Sequence, residues 1–262
     1  MNSVRAYDLP VRIFHWAFVT LFSASFFIAK VIDDESALYV YHMLSGLLMA
    51  SLVLLRIIWG FVGTETARFK SFRLSPKELK EYFLSLVSSK TKRYLGHNPA
   101  SSYAAVVMFI LALGLAATGI LMSLRVSKHF FEEVHELMAN GFLLLSVAHI
   151  LGVIFHQVKH QDGLAMSMIH GLKYDIDSAN GIKISHGPVA IVLVAYILFG
   201  GFVLGNGYNP NTGELHLLGA TLPLGEKEEH SSHDGFAGEA EHDQKSSLTG
   251  NDDDNDDDHD HD

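Results

Sequence analysis

His135 and His149 lie fourteen residues apart within one apolar stretch, Val134 to Phe155, and His15 and His42 sit near the ends of two others. Fourteen residues is close to four helical turns, so the two imidazoles project from one helix face, roughly 21 Å apart along its axis. That separation is most of a hydrocarbon core of about 30 Å. Ionisable groups at membrane depth are expensive and mark functional sites. Four histidines at the ends of three apolar helices can ligate two metal centres, and two b-type haems, each between two imidazoles, account for all four. The chain has no cysteine. That removes thioether-attached haem, cysteine-held iron–sulfur clusters, disulfides and thiol catalysis, so any redox centre must be held by histidine.

The elements that must position these residues are long apolar helices. The 262 residues are 48% hydrophobic, and mean hydropathy is positive, which marks a membrane protein. Five stretches are long enough to span a bilayer: about Val11 to Ile32, Tyr39 to Gly63, Tyr103 to Leu124, Phe130 to Phe155 and His186 to Gly205. The first contains Arg12, His15 and Lys30 and has no small-residue cleavage site, so it reads as a retained helix rather than a signal peptide. Ser75-Pro76-Lys77-Glu78, with Leu79, Phe83, Leu86 and Val87 at helical spacing, predicts a capped amphipathic helix on the membrane surface between the second and third spans.

Charge orients the chain. The net charge of −10 resides in a tail: residues 206–262 hold 16 acidic residues against Lys227 and Lys245, leaving 17 Lys+Arg against 13 Asp+Glu before it. Arg5 and Arg12, the loop from Arg68 to Arg93, and Lys159, Lys173 and Lys183 all fall on one side, which places the N-terminus in the cytoplasm and the tail outside. The composition beyond Pro223 cannot bury enough apolar surface to fold, so residues 206–262 read as a mostly disordered acidic His/Asp-rich tail. Its histidines, among them His230, His233, His259 and His261, can bind divalent metals weakly or belong to a solvated polyanion.

In an antiparallel bundle the pairing is geometric. His15 opens the first helix at the depth where His149 lies in the fourth, and His42 opens the second at the depth of His135. Gly46, Gly141 and Gly152 would let a flat macrocycle lie close to backbone, although helix packing explains them equally. Arg56, fourteen residues after His42, and Arg12, one turn before His15, suit carboxylates near the inner pair, and Arg125 or Lys128 the outer one. His156, seven residues beyond His149, is the rival ligand, though its flank is already polar; His97, His129, His160, His170 and His186 read as interfacial.

At these residues the chain resembles the bacterial cytochrome b561 family, in the branch of the cytochrome b subunits of nickel-dependent hydrogenases. The likeness is carried by Leu9-Pro10-Val11-Arg12-Ile13-Phe14-His15-Trp16, by His42 through Gly46 to Arg56-Ile57-Ile58-Trp59-Gly60, by His97-Asn98-Pro99, by Thr118-Gly119, by the His135/His149 pair, and by Gly163 to Lys173. It covers about residues 4 to 174. It implies an all-α membrane protein: a four-helix transmembrane bundle (residues 1–174) holding two b haems on His15, His42, His135 and His149. A fifth transmembrane helix with its connection (175–205) and the tail (206–262) lie beyond the likeness.

Iron with two imidazoles has no open position, so such haems relay electrons rather than bind oxygen or substrate. The expectation is an inner-membrane electron-transfer subunit between the quinone pool and a periplasmic c-type cytochrome or hydrogenase, in contact with membrane lipid and with no nucleic acid. One alternative is a freestanding quinone oxidoreductase, such as one that oxidises superoxide. The other is a divalent metal-ion transporter, which the spans argue against because they hold almost no interior carboxylate.

Overall fold

Each expected span is a helix in the computed structural model, which describes residues 3–87, 94–174 and 181–224. After a short strand β1 (Ser3–Arg5) come α1 (Leu9–Val31) and α2 (Val40–Val62), then α3 (Pro76–Val87), α4 (Pro99–Ser123), α5 (Lys128–His160) and α6 (Leu164–His170). Strand β2 (Leu172–Tyr174), α7 (Gly187–Gly207) and strands β3 (Tyr208–Asn209), β4 (Glu214–Leu217) and β5 (Ala220–Pro223) follow. Five of the helices, α1, α2, α4, α5 and α7, are long and apolar enough to cross a membrane. Large apolar side chains such as Ile110, Leu144, Ile191 and Phe199 stand exposed along them. An all-round apolar helix surface requires lipid as solvent.

Local sequence sets the helix starts. Asp8 caps α1 by accepting from Val11 N at 2.9 Å, ahead of Pro10, and Asn98 caps α4 by accepting from Ser101 N at 2.8 Å, ahead of Pro99. Asp8 is fully buried, and its other oxygen accepts from Trp59 Nε1 (3.1 Å) and Thr64 Oγ1 (2.6 Å), so one carboxylate ties the start of α1 to the end of α2. The capping box expected at Ser75 is half formed. Ser75 Oγ is 3.5 Å from Glu78 N, while the Glu78 carboxylate turns outward to Arg73 at 3.4 Å, because a cation stands within its reach.

Helices α1 and α2 pack on each other, α4 packs on α5, and α2 joins the two pairs through α4, while α7 packs outside α1 and α2. Helix α5 does not pack closely on α1 or α2, so a gap runs between them. Strands β1 and β2 pair antiparallel, Ser3 opposite Tyr174 and Arg5 opposite Leu172, and close one end of the bundle. Gly171 sits at φ +83 between α6 and β2, and a Cβ there would lie 2.8 Å from the Tyr7 carbonyl, so this junction requires glycine.

The boundary expected at residue 206 is corrected. The chain after α7 forms a three-stranded antiparallel sheet, β3-β4-β5, before the described part ends at Leu224. Leu215 is fully buried and packs with Leu224 and Leu204 against Val40, Leu44 and Leu48 of α2. Strand alternation explains it: Leu215 and Leu217 share one face and Glu214 and His216 the other, and Leu218-Gly219, both at positive φ, turn the hairpin. The overall composition of 206–262 hid this short pattern. The expectation of disorder for the remaining tail lies outside the described residues.

Candidate metal centre

Across the gap, the His42 and His135 rings stand 6.1 Å apart, centre to centre. Two imidazoles sharing one metal through bonds of about 2.0–2.1 Å have ring centres roughly 6 Å apart. The fold holds this pair at ligation spacing. His42 Nδ1 lies 3.0 Å from the Ser25 carbonyl oxygen and 2.9 Å from Ser25 Oγ, whose own proton is directed to the His42 carbonyl. His135 Nδ1 lies 2.8 Å from Thr118 Oγ1, whose proton is directed to the carbonyls of Gly114 and Leu115. Facing acceptors only, each Nδ1 must carry the ring proton and donate it. Each Nε2 then presents a lone pair, and the second hydrogen bond fixes ring orientation as it does in histidine metal sites.

His15 lies in the second turn of α1 and His149 fourteen residues along α5 from His135, which puts both toward the other end of the same gap. His15 Nδ1 is buried without a partner, and its ring meets Trp16 edge-on at 5.3 Å. Midway between the pairs, seven residues from each α5 histidine, Phe142 inserts between Phe22 (4.5 Å) and Phe18 (5.7 Å). Its ring bridges α5 to α1 at the level midway between the two pairs. A side chain added at Gly46, one turn from His42, or at Gly141 would meet nothing within 4 Å, which is the clearance a flat macrocycle needs; Gly152 is equally open but on the exposed face of α5.

Arg56 is 5% exposed, with Nη2 donating to the Ala67 carbonyl at 3.1 Å and Nη1 unpartnered; Phe69 and Phe109 flank its guanidinium. Arg12 donates from Nη1 to the Ile169 carbonyl, and its Nε is unpartnered. Arg125 lies exposed in the α4–α5 turn. The rival ligand His156 is buried and engaged at both nitrogens, Nε2 with Asp162 Oδ2 at 3.1 Å and Nδ1 with the Tyr82 hydroxyl at 3.5 Å. Asp162 titrates below the usual carboxylate range: burial raises it, but the His156 hydrogen bond and charge, with Lys173, outweigh burial. Of the histidines read as interfacial, His129 is exposed beside Glu133, His170 accepts from Leu172 N, and His186 packs on Trp59. His97 departs from that reading, because its Nδ1 is buried and unpartnered between Tyr7 and Phe72.

Among the described residues, no three His, Cys, Asp or Glu side chains converge on a point able to hold a metal ion. Two imidazoles leave a bare ion four ligands short of an octahedral shell, which a planar macrocycle supplies. The buried orphan nitrogens at one end, the open glycine positions and the ligation spacing at the other all fit haem. Helices of this kind around paired histidines define a multi-pass membrane cytochrome of b type.

The comparisons agree. Residues 6–171 match the family model described as prokaryotic cytochrome b561, and the chain belongs to that family. Among its relatives are three named as probable Ni/Fe-hydrogenase B-type cytochrome subunits. The protein from Rhizobium leguminosarum bv. viciae is 32% identical over 65% of this chain and 88% of its own length. The one from Rhodobacter capsulatus is 24% identical over 65% and 81%. The hydrogenase 1 subunit from Escherichia coli K12 is 21% identical over 64% and 89%. No solved structure matches significantly.

Proposed function

We propose that this membrane electron-transfer cytochrome holds two b haems, one between His42 and His135 and one between His15 and His149, with Arg56 and Arg12 near the propionates of the second. The 6.1 Å spacing of His42 and His135, with both protons held on Nδ1, is the observation that carries the reading. When bound, each haem supplies one-electron exchange at an iron closed to oxygen and substrate. The chain's residues do the rest: Ser25 and Thr118 orient the outer imidazoles, Phe142 keeps the two sites apart, and apolar helices exclude water from the path between them.

In this reading electrons pass across the bacterial inner membrane between the quinone pool and a periplasmic partner. The basic loops put the N-terminus in the cytoplasm and the acidic tail outside. Of the two partner classes, hydrogenase is favoured over a c-type cytochrome by what the relatives are named. The test is a reduced-minus-oxidised visible spectrum of the detergent-purified protein, with haem per chain from pyridine haemochrome. Two low-spin b haems per chain are expected; one haem, or none in haem-sufficient cells, overturns the assignment.

A further inference from the structure

Among the described residues, four buried polar atoms lack a hydrogen-bond partner: Arg12 Nε, His15 Nδ1, Arg56 Nη1 and His97 Nδ1. Arg12 and His15 lie in the first turns of α1, Arg56 in the last two turns of α2, and His97 packs on Tyr7 just ahead of α1, so all four fall at the end of the bundle where α1 begins. At the other end both ring nitrogens named above are bonded. A buried donor left without an acceptor is destabilising, more so when charged, so a cluster of them on one side marks the place of an acceptor.

Two of the four point to its chemistry. Arg56 is a buried guanidinium with one amino group anchored on Ala67 and the other free. The carboxylate in its electrostatic reach, Asp8, already accepts from Val11, Trp59 and Thr64. His97 packs on Phe72 (4.8 Å), Phe72 packs on Phe69 (5.5 Å), and Phe69 flanks the Arg56 guanidinium, so His97 and Arg56 border the same end of the bundle. Burial, with Arg56, Lys173 and His149 nearby, pushes His97 down to about 3, so it is a neutral imidazole able to donate from one nitrogen. Its place is fixed from behind. Lys173, 2% exposed, donates from Nζ to the carbonyls of Tyr94 (2.9 Å) and Gly96 (3.3 Å), the loop that delivers His97.

We propose that Arg56 Nη1 and His97 Nδ1 together receive one carboxylate oxygen, a propionate of the haem at the His15/His149 pair, and that Lys173 positions His97 for it. A guanidinium paired with a neutral N–H donor in a dry site is a strong carboxylate receptor. This rests on the two-haem reading. A quinone oxygen offers similar acceptor chemistry and is separated from it by the test.

The test is a potentiometric titration of the full chain in quinone-free detergent, following both haems; the wave absent in His149→Ala identifies the inner one. Loss of a cation disfavours the added electron, so Arg56→Gln lowers the inner potential by about a tenfold change in redox equilibrium, ~59 mV for one electron. His97→Leu shifts it the same way by about threefold, and His97→Gln, which keeps a donor, restores it. Lys173→Met gives a smaller shift that vanishes in the His97→Leu background, as expected for a residue acting through His97. The outer haem stays unmoved and reports folding; if a leucine variant loses both haems, the glutamine variant and Arg56→Gln decide. Unchanged inner potentials in Arg56→Gln and His97→Leu overturn the proposal while leaving two haems in place. A shift that appears only on adding a short-chain quinone overturns the carboxylate assignment in favour of the quinone oxygen. Absence of haem from the unmodified protein sinks the underlying reading instead.

Discussion

Phe22 of α1 and Phe142 of α5 meet at 4.5 Å between ring centres, at the midpoint of the gap whose two ends hold the histidine pairs. Phe142 is 4% exposed in a helix that is otherwise largely lipid-facing, and it supplies α5's contact with α1 at this level. Truncating it removes the ring contacts with Phe18 and Phe22. Phe142→Ala should destabilise the protein by about 3–5 kcal/mol, the range for buried Phe→Ala changes, and Phe142→Leu by much less. Thermal unfolding in detergent, read by haem absorbance, checks this; an alanine variant as stable as the parent would remove the wedge.

Thr118 and Ser25 play the same part at the two outer imidazoles. Thr118 Oγ1 accepts at His135 Nδ1, where the Leu115 carbonyl is a second acceptor, and Ser25 Oγ accepts at His42 Nδ1 beside the Ser25 carbonyl. Accepting the Nδ1 proton makes the imidazole more electron-donating and so lowers the potential of bound iron. Thr118→Val and Ser25→Ala should therefore each raise the outer haem's potential modestly, since a carbonyl acceptor stays at both rings. A shift downward in either would show the tautomer assignment to be wrong.

Ligand substitutions divide by end of the bundle. His42→Ala and His135→Ala should each remove the outer haem, and His15→Ala and His149→Ala the inner one. His156→Ala should keep both, since His156 is committed to Asp162 and Tyr82. Haem content and the residual spectrum of each variant decide it.

Lys173 provides a pH signature. Burial lowers its pKa from 10.5 to about 8, with Asp162 opposing. Between about pH 8 and 10.5 the unfolded chain binds more protons than the folded one, so this group's contribution makes the protein more stable as pH rises; below pH 8 its burial cost is fully present. Thermal midpoints from pH 7 to 10 should carry a rising component that Lys173→Met abolishes. The same slope in the variant would refute it.

The acidic tail is a separate matter of charge. Deleting residues 226–262, which hold most of the chain's Asp and Glu, should slow exchange with a basic soluble partner and flatten its salt dependence, since long-range steering is screened by salt. An unchanged rate at low ionic strength would exclude a docking role.

The five spans, their order and the depth of each histidine were legible in the sequence, because helical rise is constant and lipid demands apolar residues throughout a span. His15, His42, His135 and His149 stand out for the same reason: a polar group in such a run is conspicuous. What lies around them depends on contacts distant in the chain. Ser25 reaches His42 across seventeen residues, Thr118 reaches His135 across seventeen, and Phe142 meets Phe22 across far more. No periodicity carries those pairings. His156 and His97 make the point most clearly. One sits on the ligand face by spacing and is bound to Asp162 instead; the other looked interfacial and is buried with a free nitrogen. Sequence determined where along each helix a polar side chain falls, because that depends on local geometry alone. Only the tertiary structure decided which of those groups already has a partner, because a buried polar atom is satisfied by whichever element the fold brings against it.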